Sequence, residues 1–284
     1  MILSAFYTKK QYMKVILTLT YHISLKLSPN HHIRFGSRQC QDNSGVTDGM
    51  ESVLIVGGSS GIGEALARRM AGDGYEVGLT ARRGDRLTEI ARELPTKSYV
   101  AEMDVTEPDD AREVFDAMTE AMDGVDIVVL NAGIAPANPA LAWEPDRDTI
   151  DTNVRGFVAL ATAALAHFDS RGTGHLVGIS SVAAHLGLGA VPAYSASKAF
   201  VSNYLDGLRA RTAETNITVT TIEPGYVDTD LSLGGFWECS PETAAKHIAC
   251  AIETRQRHAF VPPRWRVIAW LLAVVPESIR HRFA

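Results

Sequence analysis

Of the eight tyrosines in the chain, only Tyr194 has a lysine four residues later, Lys198. The surrounding segment, YSASKAFVSNYLDGLRAR, reads as a helix, on which residues i and i+4 project from one face. An ammonium there could lower the phenol pKa from about 10 towards the working range, making Tyr194 a usable proton donor or acceptor. A helix-surface Tyr–Lys pair without chemistry is the plainer alternative. Thirteen residues before Tyr194 stands Ser181, at the end of the apolar run HLVGIS. A hydroxyl at the carboxyl end of a parallel strand faces the edge where open α/β sheets hold ligands, and can donate to a carbonyl oxygen. As a nucleophile Ser181 is unpersuasive, because no Gly-x-Ser-x-Gly elbow surrounds it. His175 and His185 flank it, but lone histidines at such places are more often packing or solvated groups than catalysts.

A second group of residues could hold an anion. VLIV runs into Gly57-Gly58-Ser59-Ser60-Gly61-Ile62-Gly63 and then into the helical GEALARRM. Glycines between a strand and a helix N-terminus leave free N–H groups and the positive helix end open to a pyrophosphate. The spacing is Gly-x-x-x-Gly-x-Gly, and an ordinary tight turn is the alternative. The second apolar run, YEVGLTA, ends in Arg82-Arg83 without the acid that would hold ribose hydroxyls and repel a 2′-phosphate, which favours NADP over NAD, with Arg82 the better placed. Two solvated loop arginines would look the same. Asp104, after the third strand, either bonds an adenine amino group or caps the helix that follows.

These residues need a scaffold that sets them along one edge. Apolar runs near 52–56, 75–81, 97–103, 125–130, 174–180, 217–222 and 258–261 alternate with helical patterns near 62–72, 85–93, 109–121, 146–169, 193–213 and 241–254. Such alternation predicts an α/β fold: a doubly wound, mostly parallel sheet of Rossmann type, with helices on both faces, forming one domain over 50–284. The 284 residues are 46% hydrophobic and 21% charged, enough for one sizeable core and unlike a disordered or fibrous chain. A net charge of −6 argues against a nucleic-acid binder. Three cysteines, Cys40, Cys239 and Cys250, make no disulfide framework and show no metal-ligand spacing, so a reducing, cytoplasmic location is expected.

The first 49 residues carry +4 and the remainder −10. Alternating residues from Leu17 to Leu27 have a strand's period, but no partner for them is evident, and the segment fits neither a secretory signal nor a transit peptide. Residues 1–49 are therefore expected to be a poorly ordered or non-native extension, with Met50 the natural start; an appended strand is the minority alternative.

Taken in order, Gly57-x-x-x-Gly61-x-Gly63, Asp104-Val105, Asn131-Ala132-Gly133, Asn153, Ser181, Tyr194-x-x-x-Lys198 and Pro224-Gly225 resemble the short-chain dehydrogenase/reductase family in its compact single-domain branch. The resemblance spans essentially all of 50–284. It implies that Tyr194 is the acid/base, that Ser181 orients the carbonyl, and that Lys198 bonds the nicotinamide ribose and keeps Tyr194 acidic. Asn153 would keep a water in a relay to Lys198, or else be a satisfied amide at a helix kink. Cofactor contacts would run along Gly57, Ser59, Ser60, Gly61, Ile62 and Gly63, then Arg82, Arg83, Asp104 and Val105. Asn131, Ala132 and Gly133 would follow, with Asn131 bracing the sheet. Pro224, Gly225 and Val227 would border the nicotinamide, with Thr229 near its carboxamide. Two positions depart from the family pattern: Val56 replaces a threonine and Gly58 an alanine.

The implied reaction is NADP-dependent interconversion of a carbonyl compound and an alcohol, in a homodimer or homotetramer. Leu231, Leu233, Phe236 and Trp237 would line the substrate lid and favour an apolar substrate. Residues 264–284 are expected to form an apolar helical tail, in which Val267–Val275 is too short to span a bilayer but could lie in a membrane interface; docking on its own domain or on a sister subunit is the alternative. A catalytically silent nucleotide sensor or scaffold on the same fold is the rival function. An epimerase or dehydratase on sugar nucleotides would need a longer C-terminal domain.

Overall fold

The computed structural model describes residues 51–229 and 237–274. The leading 1–49 segment, lid residues Leu231, Leu233 and Phe236, and the last ten residues of the tail lie outside this range. Seven strands, β1 (Ser52–Val56), β2 (Glu76–Ala81), β3 (Ser98–Glu102), β4 (Ile127–Leu130), β5 (Thr173–Ile179), β6 (Asn216–Pro224) and β7 (His258–Val261), form one sheet in the order β3-β2-β1-β4-β5-β6-β7. Every neighbouring pair is parallel. The helices are α1 (Gly61–Gly72), α2 (Gly84–Glu93), α3 (Pro108–Ala121), α4 (Trp143–Ile150), α5 (Phe157–Arg171), α6 (Pro192–Arg211), α7 (Pro241–Glu253) and α8 (Trp265–Val274). The doubly wound parallel sheet is the architecture that the strand–helix alternation predicts.

Strands buried on both faces read as continuous apolar runs, and β1 and β4 are buried along their whole length. Their alternate side chains feed two cores. Val53 and Ile55 pack with Leu66, Met70, Leu87 and Ile248 on one face; Leu54 and Val56 pack with Phe115, Phe157, Phe168 and Leu205 on the other. The chain winds outward from β1 to β3, then returns so that β4 lies against β1. This reversal opens a crevice at the carboxyl ends of β1 and β4, where a doubly wound sheet binds its ligand.

The single helix expected over 146–169 is interrupted. Between α4 and α5 the chain makes one π-helical turn, Asp151–Gly156, with Asn153 inside it and only 1% exposed. The cause is a tertiary contact: the Asn153 amide binds the backbone of Ile134, and the wider turn admits that side chain. The turn from β5 to α6 also contains a short 3₁₀ turn, Val182–His185, which Ser181 caps by accepting from Ala183 N at 3.1 Å.

Among the described residues no helix is long and apolar enough to cross a membrane. In α8, Trp265 is 5% exposed and packs inward, whereas Trp270 is 64% exposed. For this first part of the tail, docking on the protein's own body is the arrangement observed.

Candidate active site

The first half of the site is the turn between β1 and α1. Gly57 N and Gly58 N both donate to Thr80 O, at 2.8 and 3.2 Å, which ties the turn to the end of β2. Asn131 Nδ2 donates to Gly57 O at 2.8 Å, while Asn131 N and Ala132 N donate to Val56 O, which ties the end of β4 to the turn after β1. Gly57 has φ +88°, a conformation that a side chain disfavours. A Cβ on Gly63 would stand 2.1 Å from Gly57 O and 2.7 Å from Asn131 Nδ2. Glycine there keeps the turn against α1, and the first N–H groups of that helix are available for an anion. Thr229 reaches the same turn, its Cγ2 3.0 Å from where a Gly61 Cβ would lie. A loop shaped by backbone fit, with free N–H groups beyond it, suits the pyrophosphate of a dinucleotide.

The two arginines after β2 differ in placement. Arg83 Nη2 donates to Ser60 Oγ at 2.7 Å and to Ser59 Oγ at 3.0 Å, laying its guanidinium over the turn. Of the two, it is Arg83 that is bonded to the turn: it immediately precedes α2, and the Thr80 bonds bring the glycine turn within its reach. Asp104 Oδ1 accepts from Thr106 N at 3.0 Å and from Thr106 Oγ1 at 2.8 Å, so that oxygen shapes the loop ahead of α3. Val105 is buried beneath it, and Ile62 packs against the core from the first turn of α1.

The second half gathers residues from β5, the π turn and α6. Lys198 is 6% exposed, and its Nζ donates to Ile179 O at 2.8 Å. Burial pulls its pKa down to about 8, leaving the ammonium mostly protonated at neutral pH. The position that a Gly133 Cβ would take lies 3.2 Å from Asn153 Oδ1 and 3.4 Å from Lys198 Nζ, so the Asn131-Ala132-Gly133 segment passes beside both groups. Asn153 Oδ1 accepts from Ile134 N, and its Nδ2 donates to Ile134 O and to Ser197 Oγ. These bonds match the satisfied-amide alternative for its side chain.

The Ser181 hydroxyl lies near enough to the Tyr194 phenol to draw its pKa down. Ser181 Oγ also lies 3.4 Å from Pro224 O, to which it donates. The Lys198 ammonium stands 5.8 Å from the centre of the Tyr194 ring. The net shift of the phenol runs opposite to the expected lowering, and Lys198 is not among its causes. Burial pushes the Tyr194 pKa above its usual value, the Ser181 hydroxyl pulls it back, and nearby Tyr226 pushes it up again. The phenol is therefore the protonated partner at neutral pH.

Neither flanking histidine is bonded to Ser181. His175 is buried, with Nε2 2.8 Å from Thr220 Oγ1, and burial pulls its pKa down to about 4. His185 binds Glu223. Beyond Pro224, Gly225 N donates to Val261 O, and Val227 pairs with Cys239, closing the base of the lid. Three residues at this edge escape sequence reasoning. Tyr226 and Trp265 form an edge-to-face pair with centroids 5.6 Å apart, and Trp265 Nε1 comes within 2.0 Å of where a Gly225 Cβ would be. Glu223, three residues before Tyr226, is 1% exposed. The only sequence signal was an acid at the end of an apolar strand, TTIEPG.

Comparison with known proteins agrees with this geometry. A family profile described as short chain dehydrogenase matches residues 51–234. An uncharacterised oxidoreductase of Mycobacterium tuberculosis is 38% identical over 258 residues, covering 85% of this chain and 99% of the relative. An NADP-dependent 3-hydroxy acid dehydrogenase of Shigella flexneri is 36% identical over 181 residues, covering 62% of this chain and 72% of that protein. Among solved structures, serine dehydrogenase from Escherichia coli superposes with a TM-score of 0.64 at 32% identity, covering 70% of this chain and 90% of the other. With its sheet, glycine turn and Ser–Tyr–Lys cluster in place, the chain belongs to the short-chain dehydrogenase/reductase family of NAD(P)-dependent oxidoreductases.

Proposed function

We propose that the protein is an NADP-dependent carbonyl reductase in which Tyr194 is the proton donor. The observation that carries this reading is the convergence of Ser181, Tyr194 and Lys198 at the carboxyl edge of β5, beside Gly133. The dinucleotide, when bound, supplies the hydride. Ser181 donates a hydrogen bond to the carbonyl oxygen in place of its long bond to Pro224 O, and Tyr194 delivers its phenolic proton to that oxygen, so no free alkoxide has to form. Lys198 spends one N–H on Ile179 O, which fixes the ammonium and leaves two donors for the ribose hydroxyls. All four of Asn153, Ser181, Tyr194 and Lys198 are present, which favours turnover over a silent nucleotide-binding role.

The pH dependence follows from the protonated phenol. With its pKa raised above the usual phenol value, Tyr194 remains a donor across the neutral range, and the loss of reduction that comes from Tyr194 itself is expected only as pH rises through that raised value. The reverse oxidation needs the phenolate and is expected to climb over the same range. Rate profiles in the two directions between pH 6 and 11 check both slopes; an oxidation rate that does not climb towards pH 11 contradicts the assignment.

Arg83 supports NADP. Its guanidinium already binds Ser59 and Ser60, at a place where a 2′-phosphate would find a bidentate partner. The NADP dependence of the Shigella relative is consistent with this. Arg83→Ala is expected to weaken NADPH binding about tenfold or more, a charge-assisted bond of about 1.5–3 kcal/mol, while NADH binding changes less than threefold. Fluorescence titration with both cofactors measures the ratio.

Tyr226, Trp237 and Trp265 give the lid base an aromatic lining that suits an apolar carbonyl compound. The likeness to a 3-hydroxy acid dehydrogenase and a serine dehydrogenase supports a second reading, a short hydroxy acid. A panel of 4-nitrobenzaldehyde, cyclic ketones, a sterol ketone and long-chain 3-oxo esters with NADPH, and of 3-hydroxybutyrate and serine with NADP⁺, separates the two. Turnover confined to the acids replaces the apolar substrate; none with any compound favours the silent binder.

A further inference from the structure

We propose that Glu223 is a positioning residue: its buried carboxylate, clamped by His185, His258 and Ser202, holds Ser181 and Lys198 in catalytic register. The inference rests on the roles proposed above for Ser181, Tyr194 and Lys198.

Glu223 lies on β6, next to Pro224, and is 1% exposed. Burying a carboxylate is costly unless each oxygen finds strong donors. Here Oε2 pairs with His185 Nε2 at 2.6 Å and lies 3.3 Å from His258 Nε2, while Oε1 accepts from Ser202 Oγ at 2.9 Å. Phe260 lies against both imidazoles, stacked on His258 at 4.8 Å and tilted to His185 at 6.1 Å.

Each partner leads to the reacting groups. Ser180 Oγ lies 2.7 Å from Ser202 Oγ and 2.8 Å from Lys198 O, its proton shared between them, which ties the carboxylate to the backbone of Lys198. His185 ends the 3₁₀ turn whose Ala183 N donates to Ser181 Oγ. The residue after Glu223 supplies the Pro224 carbonyl that accepts from Ser181 Oγ. One carboxylate thus links β6, β7, α6 and the Ser181 turn, and it touches no reacting atom itself.

The clamp is ionic at working pH. Despite burial, the two histidines hold the Glu223 pKa down to about 2, and the Glu223 bond raises the His185 pKa above 6.5. His185 faces Glu223 from the 3₁₀ turn, His258 from β7 and Ser202 from α6. Among the described residues no other charged group shifts either Glu223 or His185. The ion pair is complete below the raised pKa of His185. As pH rises through that value the cation is lost, the Ser181 turn is held less firmly, and kcat falls, well before Tyr194 titrates.

The test uses the full chain with NADPH and the fastest substrate of the panel above, 4-nitrobenzaldehyde being the first probe. His185→Ala is expected to lower kcat about tenfold, since misplacement of reacting groups by a fraction of an ångström carries penalties of that order, with KM for NADPH within about twofold of wild type. His185→Gln, whose amide can donate to Glu223 without titrating, is expected to restore most of kcat and to remove the fall in kcat between pH 6 and 9. His185 is partly exposed, so both variants should fold, and thermal melting checks that they do. Wild-type kcat and an unchanged pH profile in His185→Ala overturn the proposal. A loss that His185→Gln fails to rescue also overturns it. Tyr194→Phe, run beside them, separates the two failures: an inactive Tyr194→Phe with a normal His185→Ala refutes the clamp alone. An active Tyr194→Phe, or no turnover of any panel compound by wild type, refutes the catalytic reading and the clamp with it.

Discussion

Tyr194→Phe is expected to cut carbonyl reduction by at least about a hundredfold while leaving NADPH affinity within about twofold of wild type. Removing a positioned general acid costs about 10²–10⁴ in rate, and a hundredfold corresponds to about 2.7 kcal/mol of activation free energy. The variant deletes one oxygen and keeps the ring, so α6 and its packing are preserved. Lys198 keeps its bond to Ile179 O, and Ser181 keeps its donor and acceptor contacts with Ala183 N and Pro224 O. Cofactor binding and proton transfer are thereby separated. Steady-state rates together with a fluorescence titration read the two quantities, and near-normal turnover in a folded variant removes Tyr194 from the mechanism.

Gly63→Ala is expected to have the second large effect, a fall in NADPH affinity of about a hundredfold, which is about 2.7 kcal/mol. The new methyl would meet Gly57 O at 2.1 Å, and that oxygen has little freedom to retreat because Asn131 Nδ2 holds it at 2.8 Å. The whole turn must move away from α1, taking the anion-binding N–H groups out of line. Gly72→Ala is the matched control on the same helix: nothing lies within 4 Å of its added carbon, and affinity there is expected to stay unchanged. Equal affinities in the two variants would show that the turn does not set the cofactor's position.

The elements that sequence reasoning recovers are those whose signal is local. VLIV and IVVL are apolar throughout because β1 and β4 are covered on both faces, and the i, i+4 spacing of Tyr194 and Lys198 survives because α6 is a regular helix through that stretch. Asn131 was legible as a sheet brace only through its place in the family pattern. What was missed depends on contacts across the fold. Arg82 and Arg83 are neighbours of one type, and only the Thr80 bonds that draw the glycine turn towards β2 decide which of them covers the serines. The π turn around Asn153 forms to meet the backbone of Ile134, nineteen residues away, and leaves no mark in a period of 3.6. The lowering of the Tyr194 pKa was inferred from a neighbouring charge, but burial, invisible in spacing, is the larger influence. Sequence alone leaves Trp265 open between a membrane interface and docking, because its neighbour Gly225 is forty residues earlier. Glu223 was passed over because an acid in a strand is unremarkable until its two histidines and Ser202 are brought around it.

The most direct test of the central claim, that Ser181, Tyr194 and Lys198 act together on one nicotinamide, is a crystal structure of the chain with NADP⁺ bound. The predicted result has the pyrophosphate on the Gly57–Gly63 turn, the nicotinamide ribose within hydrogen-bonding distance of Lys198 Nζ, and the ring close enough to Tyr194 for a carbonyl carbon to sit about 3–3.5 Å from its C4. A dinucleotide held elsewhere, or a nicotinamide turned away from Ser181 and Tyr194, would contradict it.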